Sequence, residues 1–148
     1  MADGHDLAMT LRRAYLTLHR RADDALQPLD LTADQFALLA ELSRTEGLIQ
    51  RELVDRLASD ANTVTAIIRR LELKGWIQRT DAPGDARARQ VWLTTSGRAV
   101  RHRGARRLAS VWRRLLSVDD ELTAPLNRLV DALAPAIHTI DTNHHREP

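Results

Sequence analysis

Residues 60–94 read DANTVTAIIRRLELKGWIQRTDAPGDARARQVWLT, and a change of period inside this stretch decides the fold. Asp60 stands three residues before Thr63, the spacing of a helix N-cap. Gly75 is the residue type that ends helices in a left-handed turn. Between them Val64, Ile67, Ile68 and Leu71 share one face of a helix over about 61–74. The period then shortens. Trp76–Thr80 is short and β-prone, Asp81–Asp85 is dense in turn residues, and Arg89–Thr94 alternates, with Val91 and Leu93 on one side and Trp92 on the other. The stretch predicts a helix followed by a β-hairpin with a charged tip.

Working upstream, Gln50–Leu57 reads as a short helix burying Leu53, Val54 and Leu57, and Gly47 breaks the chain before it. Thr32-Ala-Asp-Gln35 is a capping box opening a helix with Phe36, Leu38, Leu39 and Leu42 for the core. At the N-terminus Leu7, Leu11, Ala14, Leu18 and Ala22 form an apolar stripe that Pro28 ends. Downstream, Thr94 or Thr95 caps a long helix to about Leu116. Ser117–Asp120 then starts a final helical region with Leu122, Leu126, Leu129, Leu133, Ile137 and Ile140 on one seam. Pro125 and Pro135 predict a bent or two-piece last helix, with Thr123 as a second cap and Pro125 in its first turn. The only aromatic residues are Tyr15, Phe36, Trp76, Trp92 and Trp112, so the core is Leu, Ile, Val and Ala, which suits helix packing.

The predicted class is mainly α with a small β-hairpin wing: a winged helix-turn-helix of six helices plus wing, with a helical dimerisation arm from both termini. Residues 1–31 are the N-terminal helix of that arm, 32–97 the DNA-binding domain, 98–141 the C-terminal helices of the arm and 142–148 a frayed tail. The seam of the arm is Leu7, Leu11, Leu126, Leu129, Leu133 and Ile137. Intramolecular burial of these stripes is the alternative to a dimer.

Charge narrows the function. The chain has 148 residues and a formal net charge of +2. Residues 44–114 hold 16 basic and 7 acidic side chains, against 6 and 13 in the remainder. A basic middle between acidic ends is the footprint of a polyanion binder or of a solvated, salt-bridged surface, and charge alone does not choose. All basic residues but Lys74 are Arg, which suits bidentate contacts to phosphate and guanine but also follows from GC-rich coding.

In the first turns of the 61–74 helix, Ala61, Asn62, Thr63 and Thr65 are short side chains able to meet base edges and phosphate. Asn62 matches adenine in bidentate fashion, and Arg69 lies further along toward phosphate. The hairpin carries Asp85, Arg87 and Arg89. Asp85 and Arg87 share a face of an extended strand, so the carboxylate can orient an Arg suited to the narrow minor groove.

No cysteine is present, which excludes thiolate nucleophiles, disulfides and Cys-ligated metal. No Gly-rich phosphate loop, nucleophile elbow, compact acid pair or helical His-x-x-x-His appears, so neither an enzyme, a cofactor nor a metal is expected. No stretch reaches the length of a membrane span, and Met1–Asp6 carries acids rather than the basic start of a secretion signal, which places the expectation in the cytoplasm.

These residues together resemble the MarR (multiple antibiotic resistance regulator) family of bacterial transcription factors. The resemblance rests on Leu53–Leu57, Asp60–Thr65, Ile67–Glu72, Lys74–Ile77 and Asp85-Ala-Arg87 with Val91–Gly97. It implies a homodimer on a pseudo-palindromic operator, usually a repressor. It places Asn62, Thr63 and Thr65 toward the major groove and Arg87, steadied by Asp85, in the minor groove. It also implies a small aromatic or phenolic effector, for which Tyr15, His19 and Trp112 are candidate lining residues. The missing cysteine excludes the oxidation-sensing branch. One departure stands out: the family's wing opens with Asp-Pro, whereas Ala82 precedes Pro83 here, so the wing is expected to be a residue longer on its first side. Two alternatives remain: a winged-helix module binding protein or structured RNA, and a constitutive regulator without effector.

Overall fold

A computed structural model of the chain describes residues 3–118 and 121–134. Its elements run α1 (Gly4–Leu26), α2 (Ala33–Arg44), β1 (Leu48–Ile49), α3 (Gln50–Arg56), α4 (Ala61–Leu73), β2 (Ile77–Ala82), β3 (Asp85–Leu93), α5 (Thr95–Leu116) and α6 (Thr123–Leu133). This is the predicted class, six helices and a wing, with one addition: the sheet has three strands, in the order β1-β3-β2, all antiparallel. The added strand is two residues long, Leu48 facing Val91 and Ile49 facing Gln90. Contacts divide the chain into two units, 1–113 and 114–148.

In the first unit the helix ends follow local chemistry. The capping box at Thr32 is closed, Thr32 Oγ1 accepting from Gln35 N at 3.1 Å while Gln35 Oε1 accepts from Thr32 N at 3.3 Å. Pro28 falls in a single 3-10 turn, Gln27–Leu29, directly after α1. Helix α4 ends in a Schellman motif: Gly75, at φ 70°, donates to the Glu72 carbonyl and Trp76 N donates to the Leu71 carbonyl. The same motif ends α3, Ala58 N bonding Asp55 O and Ser59 N bonding Val54 O, but here an alanine takes the left-handed conformation at φ 47°.

The core sits between α2, α4, the sheet and the first half of α5. Leu38, Leu39, Leu42, Leu53, Val64, Ile68, Leu71, Val91, Val100 and Leu108 are fully buried, joined by Leu26 of α1. As expected, Val64, Ile67, Ile68 and Leu71 form the inner face of α4, and Val91 and Leu93 point inward from β3 while Trp92 is half-buried on the other side. Of the three apolar residues read into α3, Leu53 is buried, and Val54 and Leu57 are only partly so.

Among the described residues the second unit contains Arg114–Leu116 of α5 and the whole of α6. Thr123 is the first helical residue of α6 rather than its cap, Leu122 holding the cap position, and Pro125 lies in the first turn as expected. The helix stops at Leu133. Ala134 is extended, ψ 135°, as the residue before a proline must be. Leu122, Leu126, Val130 and Leu133 are exposed and Leu129 is half-buried. Ile137, Ile140 and Pro135 lie outside the described residues.

Candidate nucleic-acid interface

Asp60 fixes the start of α4. Its Oδ1 accepts from Thr63 N at 2.9 Å and its Oδ2 from the Thr63 hydroxyl at 2.7 Å. The Thr63 bonds, side chain first and backbone second, hold the Asp60 carboxyl below its usual range. The helix therefore begins on an ionised cap. Ala61, Asn62 and Thr63 are exposed in the first turn, followed by Ala66, Arg69 and Arg70. Asn62, Ala66, Arg69 and Leu73 follow one another down a single exposed face. Thr65 differs from the expectation in setting: it is half-buried, and its hydroxyl bonds within the protein, to Gln50 and the Ala61 carbonyl.

The wing turns through Pro83 and Gly84, the glycine at φ 79°. Its register corrects the expectation about the extra residue. Asp81 faces Arg89, yet the next residue, Ala82, faces Asp85. Ala86, Arg87 and Ala88 thus have no opposite number, so the added length lies on the second strand. Asp85 does steady this segment, but through the backbone: its Oδ1 accepts from Arg87 N at 2.9 Å. Among the described residues no acid pairs with the Arg87 guanidinium, which is exposed. Arg89 instead folds back on β2, Nη2 donating to the Arg79 carbonyl at 3.3 Å with Asp81 3.9 Å from its Nε.

The end of α4 is latched to the wing. Arg79 of β2 makes a two-pronged contact with Glu72 of α4, 3.2 Å from Nε and 2.6 Å from Nη2. The Arg79 hydrogen bonds lower the Glu72 pKa against the opposing effect of burial. A cleft of about 480 Å³ opens between α3, α4 and the wing, and its lining includes Arg51, Arg79, Arg87 and Arg89 against one acid, Asp85. Sequence reasoning missed Gln50, Arg51 and the partner of Arg79. Glu72 and Arg79 are seven residues apart across a helix end, a separation with no periodic signature.

The residues singled out for an effector are brought together in part. The Tyr15 and His19 rings are tilted 47° with centroids 5.6 Å apart. His19 bridges α1 to α2, Nδ1 at 3.3 Å from Asp23 and Nε2 at 3.1 Å from Asp34. Trp112, on α5, is partly exposed, and no ring contact joins it to the other two among the described residues. On the seam, Leu7 is exposed and Leu11 half-buried.

An exposed polar helix start, with the end of the same helix tied by Glu72 to an arginine-bearing hairpin, defines a winged helix-turn-helix of the DNA-binding kind. Comparison with known proteins agrees. The MarR family model matches residues 31–88. The HTH-type transcriptional repressor Rv2887 of Mycobacterium tuberculosis is 30% identical over 128 residues, 86% of this chain and 90% of that protein. The chain belongs to the MarR family of transcriptional regulators. The multiple antibiotic resistance protein MarR of Escherichia coli is 37% identical over 81 residues, 55% of this chain, and the match spans 56% of that protein's length. Among solved structures, a MepR–DNA complex from S. aureus superposes with a TM-score of 0.77 at 25% identity, covering 85% of this chain and 97% of that one. A mutant E. coli MarR complexed with operator DNA gives 0.71 at 28% identity, covering 90% and 100%. No helix among the described residues is long and apolar enough to cross a membrane.

Proposed function

We propose that the chain is a cytoplasmic, sequence-specific repressor that binds double-stranded DNA as a homodimer on a pseudo-palindromic operator. The observation that carries this reading is a pair of exposed elements: α4 opens on the exposed Ala61, Asn62 and Thr63, and the wing presents the exposed Arg87 beside a cleft also lined by Arg51, Arg79 and Arg89. Ala61, Asn62 and Thr63 meet the major groove, Asn62 supplying the bidentate amide. Arg69 lies on phosphate further along α4. Arg87 enters the adjacent minor groove, while Arg89, tied to β2, lines the phosphate path. A two-fold dimer repeats this set one helical turn away, about 34 Å along the duplex. A second copy would cover the exposed apolar residues of α6 and, separately, Leu7 at the start of α1.

A small aromatic or phenolic effector completes the reading. The neighbouring Tyr15 and His19 rings sit where α1 is tied to α2, so a ligand bearing on them would bear on the link between the N-terminal helix and the DNA-binding elements.

Selection from a random duplex pool tests the proposal. The protein is expected to enrich an inverted repeat. Arg87→Ala is expected to weaken binding at least about 10-fold and to lower the salt slope by about 1. An unchanged slope would favour a protein-binding or RNA-binding module. Adding phenolic acids to the preformed complex tests the effector: release supports it, and indifference leaves a constitutive repressor.

A further inference from the structure

Gln50, the first residue of α3, holds the first turn of α4 from the side. Its Nε2 donates to Thr65 Oγ1 at 2.7 Å and to the Ala61 carbonyl at 3.3 Å. Thr65 Oγ1 donates in turn to the same carbonyl at 2.7 Å. The three groups close a ring, and Gln50 and Thr65 are both half-buried. The base of the ring is fixed as well. Gln50 directly follows β1, whose Ile49 pairs with Gln90 of the wing strand and donates its N–H to Glu52 Oε2 at 2.9 Å.

Core packing of Val64, Ile68 and Leu71 fixes how deep α4 lies, but apolar contacts are non-directional and constrain its rotation less tightly. A hydrogen bond is directional. A helix with its side chains has a radius of about 5–6 Å, so turning it by about 20° moves a side-chain tip by about 2 Å. That shift exceeds the tolerance of a bidentate amide–adenine pair.

We propose that Gln50 is a positioning residue for base readout. By joining Thr65 and Ala61 to the end of β1 it sets the rotation of α4 relative to the wing, so that Asn62 meets one base edge and not its neighbour. Thr65 acts through this ring rather than on a base. The inference rests on the DNA-binding reading above.

The test compares wild type, Gln50→Met, Thr65→Val, Thr65→Ser and the Gln50→Met/Thr65→Val double variant. Each is measured on the selected duplex and on a scrambled duplex across a salt series. Gln50→Met and Thr65→Val are each expected to lower the ratio of specific to non-specific affinity about 10-fold or more, with non-specific affinity and salt slope nearly unchanged. Thr65→Ser keeps the hydroxyl and is expected to keep the ratio. The double variant is expected to be no worse than either single one, because both break the same ring. Should Gln50→Met fail to fold, the isosteric Thr65→Val carries the same expectation. A wild-type ratio in the single variants overturns the inference. So does an equal loss on both duplexes with a shallower salt slope, which would make Gln50 a phosphate contact. A wild-type protein that selects no sequence overturns the DNA-binding reading itself and this inference with it.

Discussion

Two regions of this chain treat their apolar side chains in opposite ways. From Leu31 to Leu108 the large ones are buried or half-buried, and Leu73 is the one strongly exposed exception. Outside that span exposure is common: Leu7, Tyr15, Leu115, Leu116, Val118, Leu122, Leu126, Val130 and Leu133 are exposed, although Leu26 is fully buried. Each exposed Leu forgoes roughly 1.5–3 kcal/mol relative to burial. The helix-turn-helix and its wing therefore close their core within the first unit, whereas the start of α1 and, separately, α6 each carry exposed apolar residues among the described residues. If the proposed dimer is what covers the exposed residues, folding and assembly are written in separate segments, and substitutions in the two regions should have separable consequences.

The largest effect belongs to the closed region. A Cβ placed on Gly97, in the first turn of α5, would lie 1.9 Å from the Trp76 carbonyl oxygen. That oxygen already accepts from Thr94 N, so neither backbone can yield cheaply. Gly97→Ala is expected to destabilise the protein by about 3–5 kcal/mol in urea unfolding, the range of severe steric defects. Gly4, at the open N-terminal end, has nothing within 4 Å of the same added atom. Gly4→Ala should be neutral or slightly stabilising. Equal costs at the two sites would erase the distinction.

A smaller effect, on assembly rather than folding, is expected on α6. Leu126→Asp with Val130→Asp places two carboxylates on the exposed seam. Under the dimer reading, sedimentation should show a monomer where the wild type dimerises, with dissociation at least about 100-fold more favourable. The variant should keep the wild-type far-UV spectrum and its affinity for a single half-site, while binding to the full inverted repeat collapses. A wild type that is monomeric at micromolar concentration would break the comparison at its root.

What was legible in the sequence follows the same division by range. Asp60, the Thr32–Gln35 box and Gly75 act on groups within four residues, so residue type and spacing announce them. The inner face of α4 is equally plain, because a period of 3.6 is a local property. The third strand escaped because Leu48–Ile49 is too short to show alternation, and its partner is some forty residues away. Gln50 escaped because Thr65 is fifteen residues off in another helix, and a lone glutamine at a helix start carries no signal. Ala82 marked the wing as unusual but pointed to the first strand, whereas the slack falls on the second, since that depends on pairing across the hairpin. The seam was legible as a stripe. Its cover is not, because an amphipathic helix states which face wants burial and leaves open against what.

The smallest effect sharpens the comparison inside the closed region. The Glu72–Arg79 contact joins the end of α4 to β2, with both side chains about a third exposed. Exposed pairs contribute about 0–1 kcal/mol, and the two-pronged geometry places this one toward the upper end. The native Glu72 carboxyl releases its proton more readily than in the unfolded chain, chiefly because Arg79 bonds the charged form. The folded state then binds fewer protons than the unfolded one as pH falls below the ordinary value of 4.5. The stabilisation is therefore complete at neutral pH and fades through that acid window. Asp60, also shifted down, adds a parallel loss of its own. Glu72→Gln keeps the shape and removes the charge. It is expected to cost no more than about 1 kcal/mol at pH 7, and to flatten the fall in stability between pH 5 and pH 3 without removing the part due to Asp60. Amide exchange should locate the loosening at the base of the wing, with α6 unaffected. Loosening that spread to α6 would mean that the two regions are energetically one.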